Sequence, residues 1–194
     1  MAALQWMLII IFPLVAGFYY GCSFLSGKYN LRKIGWLKPF IIGFTWAGLV
    51  TIYPVLFYDI MHNLNYQPSL IGGLLFLKNF MFISVLSILF DIKDYASDCI
   101  GHLNTFVVEF GLRKTIYFIL LPLSVLGLFS FVYYAVTHRF PEIKILLNIV
   151  PFILLIIVIY SMRRRRSILY YLGIIDGLML VKAISGTLAM VYFS

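Results

Sequence analysis

Six long apolar stretches, joined by short polar segments, make up most of the 194-residue chain. A helix of about 20 apolar residues is long enough to cross the hydrocarbon core of a bilayer. Hydrophobic residues form 63% of the sequence and charged residues 11%, against about 45–50% and 25% in a soluble domain. The stretches cover residues 4–25, 36–57, 69–90, 115–137, 143–161 and 168–193. The sequence therefore predicts an all-α, polytopic membrane helix bundle with about six transmembrane helices in a single domain, 1–194, and excludes a soluble enzyme.

Basic residues are unevenly distributed among the five connecting loops. The first, third and fifth loops and their edges carry 11 lysines and arginines, whereas the second and fourth carry 2. Cytoplasmic loops of membrane proteins collect basic residues, so the odd loops are expected in the cytoplasm and both termini outside. The net charge of +8 is then a mark of the cytoplasmic face rather than of nucleic-acid binding. The run Arg163 to Arg166 is expected to anchor this topology and attract anionic lipid, with diphosphate binding as the alternative.

The third loop concentrates acidic residues. Asp91, Asp94 and Asp98 fall within eight residues, and the whole chain has seven acids. In a continuous helix this spacing would place them within roughly 60° of one another on one face. Three carboxylates repel each other unless a cation lies between them, and Mg²⁺ prefers such oxygen ligands together with substrate phosphates. The spacing indicates a Mg²⁺–diphosphate site at the membrane surface.

A second interpretation of this loop is a solvated acidic turn. Lys93, Arg113 and Lys114 flank the acids and could simply neutralise them. If the loop does bind a diphosphate, the same three basic side chains are the candidates for contacting it. Spacing alone favours neither interpretation.

The loop resembles a known motif. Asp91-Ile-Lys-Asp94-x3-Asp98, with Thr105 and Gly111 in register, is similar to the second Asp-rich motif of the UbiA family of intramembrane prenyltransferases. The upstream segment 31–38 and the tetrapeptide 44–47 resemble the family's sequence before and into its fifth helix. The pattern departs from the family at 101–102, where the glycine comes one position early and His102 takes its place. It departs again at 106–107, where Phe-Val replaces Leu-Pro.

The resemblance implies a fold and an activity. The family has nine helices around a cavity, where two Asp-rich cytoplasmic loops bind Mg²⁺ and an isoprenoid diphosphate donor. The implied reaction is Mg²⁺-dependent transfer of the prenyl group to an aromatic or other small lipophilic acceptor. The six stretches match helices four to nine, and the first Asp-rich motif is missing from this sequence, so the chain is expected to be an N-terminally truncated form. The alternative is a non-catalytic, degenerate member that binds membrane lipid or assembles with other membrane proteins.

The polar residues within the apolar stretches include Lys78, Asn79 and Asp176. Ionisable groups inside a membrane usually face a cavity or a partner, so these residues are candidates for lining the substrate cavity. The competing interpretation pairs Lys78 with Asp176 or lets Lys78 reach the outer interface. A small transporter that uses these charges is a third hypothesis, disfavoured by the acids of the third loop.

Overall fold

The computed structural model describes residues 3–21, 34–164 and 166–192, and within these ranges it contains helices and no strand. The basic residues Lys28, Arg32, Lys33 and Arg165 lie outside the described residues, as do the predicted helix ends at 22–25 and 193. The eight helices that we number are α1 Ala3–Gly21, α2 Gly35–Met61, α3 Leu70–Lys93, α4 Tyr95–Ile100, α5 Phe106–Phe110, α6 Leu112–Thr137, α7 Glu142–Ser161 and α8, which begins at Ile168 and ends at Val191.

Five of these helices are long and apolar enough to cross a membrane: α2, α3, α6, α7 and the segment Ile168–Ala189 of α8. The apolar part of α1, Leu4–Tyr19, is shorter. The prediction of an all-helical protein is thereby confirmed for the described residues, with several helices that could span a membrane. Helix α6 begins earlier than predicted, at Leu112 instead of 115, because Arg113 and Lys114 form its first turn. Long basic side chains can extend from a helix end into the interface, so they do not end an apolar helix.

Three of the long helices contain a wider, π-helical turn: Gly48–Ile52 in α2, Thr115–Leu120 in α6 and Tyr171–Ile175 in α8. In two of them a proline follows within a few residues, Pro54 in α2 and Pro122 in α6. Proline lacks an N–H and its ring clashes with the carbonyl four residues earlier. A wider turn before the proline relieves this conflict, which gives these two helices a local reason for the change of pitch.

Helix α3 lies at the centre of the bundle. It packs between α2 and α6, and its residues from 82 to 89 are all buried. The helix begins at Ser69, whose hydroxyl accepts a hydrogen bond from the Gly72 N–H at 3.0 Å. Helices α7 and α8 pack against each other and complete the core through Phe152 and Ile175. Residues at both ends of α3 are thus held among neighbouring helices.

Helix α1 attaches to this core through aromatic packing. The Phe12 ring is 1% exposed, and its centroid lies 5.0 Å from that of Phe44, 5.6 Å from Tyr53 and 6.3 Å from Phe76. The Tyr53 hydroxyl also donates a 2.6 Å hydrogen bond to the Ile9 carbonyl. Tilted and edge-on ring pairs at such distances are favourable beyond their buried area.

We expect Phe12→Ala to lower the free energy of unfolding by about 3 kcal/mol, because it leaves a cavity between α1, α2 and α3. Phe18→Ala is the matched control on the same helix, since Phe18 is 56% exposed. Unfolding in mixed detergent micelles, followed by circular dichroism, measures both. Equal losses in the two variants would contradict this account of how α1 is attached.

Candidate functional site

A buried ion pair joins α2 to α3 at one end of the bundle. Asp91, in the last turn of α3, has no exposed surface, and its Oδ1 accepts a 2.8 Å hydrogen bond from the Lys38 ammonium. Lys38 lies near the beginning of α2, directly after the tight turn Gly35–Leu37, and its side chain keeps 35% exposure. A buried carboxylate requires such a partner, because an unpaired charge is costly away from water.

The three acids do not share one continuous helix. Helix α3 ends at Lys93, Asp94 caps it, and α4 starts at Tyr95. The Asp94 side chain is 43% exposed and pairs with the Lys93 ammonium at 3.3 Å. The predicted alignment of three carboxylates on one helix face is therefore replaced by two buried acids, Asp91 and Asp98, and one exposed acid.

Asp98 is brought to the site by the short helix α4. It is 6% exposed, and burial raises the pKa of its carboxyl group. The positive charge of Lys38 opposes this rise in the pKa, and the nearby Asp94 carboxylate adds to it. Lys38 therefore acts electrostatically on both buried acids, although it is hydrogen-bonded only to Asp91.

Several buried oxygens at the site have no hydrogen-bond partner. They are Asp91 Oδ2, Asp98 Oδ2 and Thr105 Oγ1, although the Thr105 hydroxyl lies near enough to the Asp98 carboxyl group to lower its pKa. Leaving a buried polar group unpaired costs about 1–3 kcal/mol, so such groups call for an explanation. Carboxylate and hydroxyl oxygens are hard ligands of the kind that Mg²⁺ binds, and the residue types fit that ion. Among the described residues no three acidic, histidine or cysteine side chains gather into a metal-binding group, so a metal would rely on two carboxylates and further ligands from elsewhere.

The segment between α4 and α5 closes over the site by direct contact with the start of α2. A Cβ placed on Gly35 would lie 2.8 Å from the carbonyl carbon of Asn104 and 2.8 Å from the nitrogen of Thr105. Only glycine allows this approach of two backbones. His102, which stands where the UbiA pattern has glycine, has a φ of 50°. It thus adopts the left-handed conformation for which glycine is favoured, and histidine is among the residues that tolerate it best.

The basic residues expected to bind diphosphate are placed apart. Lys93 pairs with Asp94, and Lys114 is exposed. Arg113 lines a pocket of about 330 Å³ together with Arg163, whose guanidinium lies 4.9 Å from the Tyr117 ring centroid. Among the described residues, the basic side chain that contacts a buried acid is Lys38. The sequence predicted Lys38 only as one of the positive charges at the edge of the first loop. Its position immediately before an apolar run, in the segment that resembles the family, could have indicated a role at the site.

The polar residues within the apolar stretches lie elsewhere. Lys78 is 13 residues before Asp91 on α3, about 20 Å along the helix axis. Its ammonium donates a 2.8 Å hydrogen bond to Asn148, whereas Asn79 donates one of the same length to Thr51. Asp176 is exposed, and the ion pairs within the described residues do not join it to Lys78. The suggested Lys78–Asp176 pair is therefore not formed.

Compared with known proteins, the chain matches no family model, no curated protein and no solved structure. The resemblance to UbiA enzymes is a prediction from the motif in the third loop and the segments before it.

We expect Lys38→Met to destabilise the protein by about 3 kcal/mol, because it leaves Asp91 buried without a positive partner. Lys114→Met removes an exposed lysine and is the matched control. Adding Asp91→Asn to Lys38→Met should restore most of the loss, since the unpaired charge is then gone. Denaturant unfolding of the purified chain in detergent measures all three. If Lys38→Met and Lys114→Met have the same stability, the ion pair does not hold α2 against α3.

Proposed function

We propose that the chain is the C-terminal part of a UbiA-like integral membrane prenyltransferase, with Asp91 and Asp98 at the Mg²⁺–diphosphate site. The observation that supports this most directly is the pair of buried carboxylates with unpartnered oxygens where membrane-spanning helices end. A divalent cation would satisfy these oxygens, and its other positions suit substrate phosphates. The donor would be an isoprenoid diphosphate and the acceptor an aromatic or other small lipophilic molecule.

The residues of the site have distinct tasks in this proposal. Lys38 holds the Asp91 carboxylate through Oδ1 and leaves Oδ2 directed to the ligand. Asp98 supplies the second carboxylate, and the Thr105 hydroxyl beside it would donate to that carboxylate or to a phosphate oxygen. Bound Mg²⁺ would neutralise the diphosphate and stabilise the charge that develops as it leaves. The apolar helices exclude water, which would otherwise capture the allylic cation.

The proposal includes an orientation. The Asp91 end would face the cytoplasm, because the loops richest in lysine and arginine are predicted on that side. A nine-helix complete form, with three further helices and a second Asp-rich loop before this segment, also belongs to the proposal. The second Asp-rich loop would supply the ligands for a second Mg²⁺ ion.

A second candidate function is a non-catalytic, lipid-binding relative. Lys38 already neutralises Asp91 without a metal ion, which favours this candidate. The pocket of Arg113 and Arg163 adds to it, because basic pockets beside membrane helices suit anionic headgroups. The two functions differ in whether the buried acids are needed for chemistry or only for stability.

Prenyl transfer distinguishes the two candidates. Membranes containing the chain, incubated with labelled farnesyl or geranylgeranyl diphosphate, an aromatic acceptor and Mg²⁺, should form a prenylated product. Asp91→Asn and Asp98→Asn should each lower the rate at least about 100-fold, because each removes a group that stabilises developing charge. Asp59→Asn, at the opposite end of α2, should leave it unchanged. Product that forms equally in all variants contradicts the assigned role, and absence of product from the unaltered chain fits both the lipid-binding candidate and an enzyme that needs the second Asp-rich loop.

Cysteine labelling tests the orientation. Cys99 lies in α4 next to Asp98 and is partly exposed, so a membrane-impermeant maleimide should reach it from the cytoplasmic side alone. Labelling is compared in sealed right-side-out and inverted vesicles of a Cys22→Ser variant. Reaction of Cys99 only in right-side-out vesicles would reverse the proposed orientation.

A further inference from the structure

A second polar cluster lies about 20 Å from Asp91 along α3, among four helices. Lys78 and Phe82 of α3, Phe131 of α6, Asn148 of α7 and Lys182 of α8 meet there. We call these five residues the lysine layer. Lys78 is 7% exposed, and Phe82 and Phe131 are at most 1% exposed. Both lysines belong to helices that could span a membrane.

Each lysine of the layer rests on an aromatic ring. The Lys78 nitrogen lies 4.2 Å from the centroid of Phe131, and the Lys182 nitrogen lies 4.2 Å from that of Phe82. Lys78 and Phe82 are four residues apart on α3 and so are neighbours on one face. Because the Lys182 nitrogen lies over Phe82, it is placed about one helical turn from Lys78 along α3. Ring faces stabilise a cation by only about 0.5–2 kcal/mol, which is less than the desolvation of an ammonium group costs.

The lysine layer contains no acidic side chain that would neutralise its two lysines. The Asn148 side chain is fixed by donating a 3.0 Å hydrogen bond to the Lys144 carbonyl, which directs its amide oxygen to Lys78. In the described part of the chain the ion pairs are Lys38–Asp91 and Lys93–Asp94, and neither includes a lysine of the layer. The Lys78 ammonium therefore has a neutral acceptor, and among the described residues neither lysine of the layer has a counter-anion.

The depth of the layer limits what this anion can be. Lys78 is about 12 Å from the beginning of α3, and Asn148 is about 9 Å from the beginning of α7, at the end opposite Asp91. In a helix the Cα–Cβ bonds tilt towards the N-terminus, so Lys182 leans towards the Asp91 end and deeper into the bundle. A phospholipid phosphate stays at the interface, whereas the carboxylate of a single-chain acid can enter further.

We propose that the lysine layer binds the carboxylate of a lipophilic acid, such as a long-chain fatty acid, between Lys78 and Lys182. The carboxylate accepts hydrogen bonds from both ammonium groups, and its apolar chain lies along the surrounding helices. Lys182 as a whole residue keeps some exposure, whereas Lys78 is buried, so the ligand would enter from the side of Lys182. This site is separate from the proposed prenyl-transfer site and does not depend on it.

The test uses a diazirine-bearing long-chain fatty acid as photolabel on the purified full chain in phosphatidylcholine vesicles. Unlabelled oleate competes for labelling, and methyl oleate is the neutral probe of the same chain. We expect oleate to compete and methyl oleate to be at least about tenfold weaker, because the ester removes the charge that pairs with the two lysines. Equal competition by both probes would overturn the proposal.

Variants assign the effect to the layer. Lys182→Met and Lys78→Met should each raise the half-competing oleate concentration at least about tenfold, while Lys182→Arg keeps the charge and should stay within about threefold. Lys144→Met is the matched control, because Lys144 also lies over a ring, 4.6 Å from Phe140, but outside the layer. The proposal is overturned if both Met variants behave like Lys144→Met.

Two further arms separate the possible explanations. Adding phosphatidylglycerol in excess over oleate should leave labelling unchanged, and loss of labelling would assign the site to a phospholipid phosphate and overturn the proposal. Asp91→Asn should also leave labelling unchanged, because Asp91 lies about 20 Å from Lys78 along α3. If Asp91→Asn abolishes prenyl transfer but oleate still competes for labelling, the two sites are separate. If Asp91→Asn also abolishes competition by oleate, the two sites are not independent.

Discussion

The carboxylate of Asp91 lies in a place from which water is excluded, and the arrangement of the helix ends around it follows from that. A buried carboxylate is stable only beside a positive charge, and α2 supplies one by beginning at this level, with Lys38 in its first turn. The same ammonium acts on Asp98, which draws α4 towards the pair. Gly35, three residues before Lys38, then lets the Asn104–Thr105 backbone close over the two acids. One ion pair thus places three separate segments.

Helix α3 carries polar groups towards both ends, with opposite balances of charge. At the Asp91 end, two buried acids share one lysine, and carboxylate oxygens are left over. At the lysine layer, the Lys78 ammonium bonds to a neutral amide oxygen and the Lys182 ammonium lies over a ring. Between them, residues such as Val85, Leu86 and Leu89 form the apolar core. A central helix with unsatisfied anions at one end and unsatisfied cations near the other is suited to two chemically different ligands.

The sequence predicted the broad architecture and several important residues, but not how they pair. Apolar length alone identifies the long helices, because a bilayer imposes it. The acids of the third loop could also be identified, because charged residues are rare in this chain and three of its seven acids fall together there. The break at Asp94 and the partner of Asp91 were not found, because Lys38 is 53 residues away and contact between helices leaves no local pattern. The ring beside Lys182 was not predicted, because nothing in α8 itself shows that Phe82 lies opposite. The relation to UbiA enzymes stays a prediction.

The π-helical turn at Tyr171–Ile175 has a consequence for how the chain tolerates changes in length. Such a turn holds one residue more than an α-helical turn, so losing one residue there would leave a regular helix. The wide turn takes up this extra residue in about the rotation of one α-helical turn, so the two parts of α8 would keep nearly the same faces. Lys182 would stay at the Phe82 ring, whereas a one-residue deletion in the regular helix between the turn and Lys182 would rotate it away by about 100°. In an alignment of related sequences, a one-residue gap at this turn would mark a protein that keeps the same side chains facing its interior.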